Sequence, residues 1–137
     1  MKLAIVFTLL AVPVAADTVF ATRNLRSQSV ITADDVMLKE GVLPGTVTDL
    51  SDAIGNEARV MIYAGRPILL RDISQPALVE RNQPVTLVFN HSGLVISAEG
   101  RALDRGAAGD TVRAMNLSSR STVNGTVSLT GQIMIGQ

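Results

Sequence analysis

From Asp17 onward the chain is a succession of short runs in which apolar and polar residues alternate, broken by glycine and proline. That period-2 pattern with frequent turn residues predicts many short strands and a mainly β fold. Val85-Thr86-Leu87-Val88-Phe89 leads into the turn Asn90-His91-Ser92-Gly93, and Leu94 to Ala98 returns with Leu94, Ile96 and Ala98 on one face. Thr111 to Met115 reads as a further strand with Val112 and Ala114 inward. Asn124-Gly125, between Thr122-Val123 and Thr126-Val127, predicts a type I′ hairpin turn, because both residues tolerate positive φ. Gln132 to Ile135 is expected to end the chain as an edge strand.

No window carries the period of a long amphipathic helix, and two short helical turns are expected. Thr32-Ala33-Asp34-Asp35 has the spacing of a capping box, with Thr32 as N-cap and the Asp35 carboxylate three residues on. Leu50 to Ile54 follows polar Thr48 and Asp49 and is stopped by Gly55. The first half also repeats itself. Val30-Ile31-Thr32-Ala33-Asp34-Asp35-Val36 parallels Pro67-Ile68-Leu69-Leu70-Arg71-Asp72-Ile73, so each isoleucine is expected to plug a core and each aspartate to cap a turn. Gln75-Pro76-Ala77 is the expected boundary and hinge between residues 17–75 and 76–137, since a strand does not run through proline. So short a link implies two packed lobes.

Residues 1–16, MKLAIVFTLLAVPVAA, have the form of a secretory leader: cationic Lys2, an apolar run from Leu3 to Val12, and small residues at Val14 and Ala16. Cleavage is expected between Ala16 and Asp17. The apolar run is shorter than the ~20 residues that span a bilayer, so no stable membrane insertion is expected. Without Lys2 the chain carries 11 basic and 12 acidic residues. That balance lacks the basic footprint of a nucleic-acid partner.

With no cysteine the fold must hold by its core alone, without disulfides or thiolate metal sites. His91 is the single histidine and sits in a turn, which offers no second imidazole for a metal. Ser118, Ser119 and Ser121 have no apparent base and read as turn hydroxyls. Adjacent Asp34 and Asp35 point in different directions on a short helix, so they do not form a carboxylate dyad. Gly106-Ala107-Ala108-Gly109-Asp110 lacks the lysine and Ser/Thr of a phosphate loop and reads as a turn. After the leader, Phe20, Tyr63 and Phe89 are the only aromatics, too few for a sugar-stacking platform. No catalytic, cofactor or metal site is expected.

Two blocks resemble a known family. Arg23-Asn24-Leu25-Arg26-Ser27-Gln28-Ser29-Val30-Ile31-Thr32-Ala33-Asp34-Asp35-Val36, with Ile54-Gly55-Asn56-Glu57-Ala58-Arg59, Ala64-Gly65-Arg66-Pro67-Ile68 and Asp72-Ile73, is similar to a SAF domain. Ala98-Glu99-Gly100-Arg101-Ala102-Leu103, then Gly106, Gly109-Asp110-Thr111-Val112-Arg113, Asn116, Ser118-Ser119 and Val123-Asn124-Gly125-Thr126-Val127 make the second block. In this order, behind a leader, they resemble the flagellar basal-body P-ring formation chaperones, the FlgA family. Larger members carry an additional N-terminal domain.

The resemblance implies a SAF, or β-clip, lobe (17–75) followed by a second small β lobe (76–137). It implies a periplasmic, non-enzymatic assembly factor whose partner is the P-ring subunit. A SAF-containing pilus or secretion accessory, or a glycan-binding SAF module, shares the first block. The expected mechanism is strand addition or groove binding, at candidate edges bearing Val85, Leu87 and Phe89 and, at the C-terminus, Ile133 and Ile135, or in the cleft between the lobes near Pro76. Neither block bears on the oligomeric state.

Overall fold

The computed structural model describes residues 16–136; the expected leader, apart from Ala16, lies outside the described residues. The fold is mainly β, as the alternation predicts. Two separate clusters of buried apolar side chains organise it. One is drawn from residues between Val19 and Ile68, the other from residues between Val79 and Ile133.

The first cluster is wrapped by two small antiparallel pairs. β1 (Asp17–Ala21) pairs with β2 (Val36–Glu40), and β3 (Glu57–Ala58) pairs with β4 (Ile73–Ser74). A 3₁₀ turn at Ala33–Asp35 precedes β2, and another at Leu70–Asp72 precedes β4. A single helical turn, α1 (Leu50–Ala53), is capped by Asp49, whose carboxylate accepts from the Ser51 N–H at 2.8 Å. Gly55 follows at φ 86, a conformation that costs glycine little.

The repeat seen in the sequence is structural and longer than its motif. Residues 19–36 and 56–73 are built alike at a spacing of 37, and each copy bonds the other at matching positions. Leu25 and Ile62 exchange N–H···O=C bonds of 2.8 and 3.0 Å. Gln28 N–H donates to Ala58 C=O as Gly65 N–H donates to Ala21 C=O, with both donors at positive φ, 67 and 78. Ile31 N–H reaches Asn56 C=O as Ile68 N–H reaches Val19 C=O. The reciprocity implies a pseudo-twofold axis beside Leu25 and Ile62. Ile31 and Ile68 are its equivalent core plugs, both essentially inaccessible.

The two aspartates of the repeat differ. The buried Asp35 carboxylate accepts the Thr32 N–H at 3.0 Å and the Thr32 hydroxyl at 2.9 Å, and Arg23 Nε donates to its other oxygen. Asp72 does not cap its turn. Leu69 stands where Thr32 stands and has no hydroxyl to donate, and the nearest cation on Asp72 is Arg71 at 3.8 Å.

The second cluster fills a closed five-stranded barrel: β5 (Pro84–His91), β6 (Leu94–Ala102), β7 (Thr111–Asn116), β8 (Thr122–Val127) and β9 (Ile133–Ile135). Neighbours are antiparallel except β5 and β9, whose parallel pairing closes the sheet. Val112 and Ala114 are buried, as alternation predicts. The β5–β6 turn centres on Ser92-Gly93, both at positive φ (49 and 82), and His91 pairs with Leu94 across it. That is type I′ geometry.

Two expectations need correction. Asn124-Gly125 is not a turn; it lies inside β8, with Gly125 opposite Val112. Gly125 is there for close approach, since a Cβ would collide with Ile133 and lie 2.7 Å from the Met134 carbonyl oxygen. The turn between β7 and β8 falls instead at Leu117–Ser121. There the Asn116 side chain accepts from the Ser118 and Ser119 N–H groups at 2.9 and 3.2 Å, and Arg120 takes φ 56.

The strands expected as free edges are likewise closed. Leu87 to Phe89 pair with β6 on one side and with β9 on the other, and β9 lies between β5 and β8. Val85, Leu87, Ile133 and Ile135 belong to the barrel core, and Phe89 is half-exposed at its rim.

Candidate functional site

Between β4 and the barrel the chain passes through Gln75-Pro76-Ala77, the segment expected as a hinge. A cleft of about 310 Å³ opens beside it, lined by Gln75 and Ala77 together with Arg105, Ala107, Ala108 and Asp110 from the barrel's first long loop. Gly106 in that loop pairs with Val79, tying the link's exit to the loop that carries Arg105.

Arg105 spans the junction. Its two terminal nitrogens donate to both carboxylate oxygens of Glu57 in β3, at 2.7 and 2.6 Å. Its Nε donates to the Glu80 carboxylate, 3.0 Å from each oxygen. Glu57 is only 4% exposed. It also accepts, at 3.4 Å, the N–H of Ala77, so one buried carboxylate holds both the link and the second lobe. Paired bonds of this fork geometry are among the stronger polar contacts a protein makes.

The Arg105 hydrogen bonds hold Glu57 below the usual carboxylate range against the opposing effect of burial, and Glu57 in turn raises Arg105. The pair is therefore ionised at neutral pH. It can act as a clasp, keeping the lobes together while both charges are paired and resisting any opening that would break the bidentate fork. Sequence reasoning missed Glu57, Glu80 and Arg105. Glu57 and Arg105 stand 48 positions apart, and no local pattern links opposite charges at that distance.

Of the other singled-out residues, the loop from Gly106 to Asp110 lines this cleft, and His91 and Asp35 do not. His91 lies at the far hairpin, its ring 6.2 Å from Phe89. Asp35 is taken up by Thr32 and Arg23. In the loop from Gly106 to Asp110, the Asp110 carboxylate accepts from the Ala107 N–H at 2.8 Å and Gly109 takes φ 86, the features of a turn. Among the described residues no three His, Asp or Glu side chains gather in a way that could hold a metal.

The profile of a family described as "Chaperone for flagella basal body P-ring formation" matches residues 16–135, nearly the whole chain. The chain belongs to this family, the FlgA chaperones. It is 32% identical over 91 residues to a "Flagellar protein FlgA" of Agrobacterium fabrum, covering 66% of this chain and 56% of that protein. It is 27% identical over 128 residues to a "Flagella basal body P-ring formation protein FlgA" of Yersinia enterocolitica, covering 90% and 57%. Among solved structures it resembles Salmonella FlgA in its open form, with a TM-score of 0.79 and 27% identity over 88% of this chain and 60% of that one. The chain thus spans somewhat more than half the length of these FlgA relatives. Among the described residues no helix is long and apolar enough to cross a membrane.

Proposed function

We propose that the chain is a periplasmic chaperone for the flagellar P ring, binding P-ring subunits before or during their polymerisation around the rod. The match of the FlgA family profile to residues 16–135 carries this reading. In it, residues 17–75 and 76–137 are two β lobes that act together by shape and perform no bond-making chemistry. Cleavage between Ala16 and Asp17 would release the chain on the far side of the inner membrane. Gln75-Pro76-Ala77 would be the hinge and the Glu57–Arg105–Glu80 cluster its clasp, so that opening exposes cleft surface to a partner and closing hides it. The short link and the single long hydrogen bond from Ala77 support this, because little besides the clasp restrains the link itself.

Deletion of the gene tests the reading. The expected outcome is loss of swimming, with isolated hook-basal bodies lacking the P ring, and recovery of both on expression of this chain. Normal P rings in the deletion strain would refute it.

A further inference from the structure

The barrel leaves the outer edge of β6 open along most of its length, in a place that the alternation of the sequence alone does not mark. β6 runs for nine residues, but β7 pairs with it only at Gly100, Arg101 and Ala102. The remainder, together with the end of β5, projects as a two-stranded ribbon. In the antiparallel register His91 faces Leu94 across a two-residue turn, which makes them a mutually bonded pair; Ile96 and Ala98 follow with the same phase. The N–H and C=O of Val95 and Ser97 therefore point away from β5. The same phase sends the Glu99 C=O outward, where it accepts the Leu117 N–H at 3.0 Å. No bond among the described residues reaches the outward groups of Val95 and Ser97.

The side chains fit an edge made for pairing. Leu94, Val95 and Ile96 are 58%, 61% and 49% exposed. Leu94, Ile96 and Phe89 continue the face that in the barrel carries Leu87 and Ala98, so the core stripe runs out of the barrel into solvent. Open edges are normally guarded by charge or proline, yet no Lys, Arg, Asp or Glu occurs from Pro84 to Ala98.

We propose that the β6 edge at Leu94–Ser97 is the docking site for an extended, uncharged segment of the chaperoned subunit, added as a sixth strand. This rests on the chaperone reading above. The strip's neutrality selects the occupant: main-chain hydrogen bonds and alternate apolar side chains recognise it, and a charged segment would lose its hydration without gaining a counter-charge. The area argues for a partner that leaves rather than for a permanent dimer. Four residues at about 3.4 Å each span only about 14 Å, so two such edges joined together fall well below the ~1,600 Å² of a standard stable interface.

Two variants of the full chain, each measured for binding to its organism's purified P-ring subunit, test this. Ser97→Pro removes one outward donor without touching the β5 ladder, and Val95→Lys places a charge on the edge from an exposed position. Each is expected to weaken binding at least about tenfold, with thermal melting and circular dichroism unchanged. In the unmodified complex the Val95 and Ser97 amides are expected to gain hydrogen-exchange protection. Binding unchanged in both variants, or no gain of protection, overturns the edge proposal alone. So does edge-dependent dimerisation of the chain that leaves subunit binding intact. Failure of the unmodified chain to bind overturns the chaperone reading as well.

Discussion

Replacing Arg105 with methionine removes the clasp while keeping most of the side-chain volume. The buried Glu57 carboxylate then retains one partner, the Ala77 N–H at 3.4 Å, in place of the bidentate fork at 2.6 and 2.7 Å. Stranding one partner of a fully buried pair costs about 3–5 kcal/mol. Arg105 is a quarter exposed and lines an open cleft, so water can reach the orphaned carboxylate. That brings the expected loss to about 2–3 kcal/mol, in the range of hydrogen bonds to charged groups.

Calorimetry and urea titration would read this as a transition lowered by about 5–12 °C, or as one transition splitting into two if the clasp couples the lobes. Glu57→Gln keeps an acceptor for Arg105 and should lose about half as much. In the double-mutant cycle the two substitutions should couple by at least about 1 kcal/mol. A melting temperature for Arg105→Met within about 1 °C of wild type, with no coupling to Glu57, would refute the clasp.

Gly125→Ala should destabilise the barrel by about 1–3 kcal/mol or more in urea titrations, because the new methyl has backbone as well as Ile133 in its way. Ile31→Ala and Ile68→Ala should each cost about 2–5 kcal/mol and resemble one another, since the pseudo-twofold places them alike. Asp35, Glu57 and Asp104 all sit below their ordinary values, held there by Arg23, Arg105 and Arg113, with Asp104 lowered to about 2. Lowered carboxylates contribute stability that is complete above the unfolded values near 3.8 and 4.5 and is lost as pH falls toward 2. The melting temperature should therefore be insensitive to these groups between pH 7 and 5 and drop steeply between about pH 4.5 and 2.

Local features were legible in the sequence, and features made by closure were not. The Ile-x-x-x-Asp echo showed because both copies write the same strand, plug and 3₁₀ turn into consecutive residues; the reciprocal bonds between copies extend it to 37-residue spacing. The capping pair Thr32–Asp35 and the turn at Ser92-Gly93 are likewise decided within four residues. Asn124-Gly125 misled because its turn chemistry is also local, while the need for glycine at 125 comes from Ile133 and Met134 on a strand that arrives later. The parallel pairing of Leu87 with Ile133 turns two apparent edges into a closed wall, and no period in the sequence announces it. The clasp and the open edge of β6 are likewise long-range features: the first comes from the packing of the lobes, the second from β7 pairing with only the last three residues of β6.

Direct binding is the most decisive measurement. Sedimentation velocity of the purified full chain mixed with monomeric P-ring subunit should show a discrete complex, with a Kd near or below about 1 μM, and slower self-association of the subunit in its presence. Two species sedimenting independently at concentrations of about 100 μM, with the subunit polymerising at its own rate, would contradict the account.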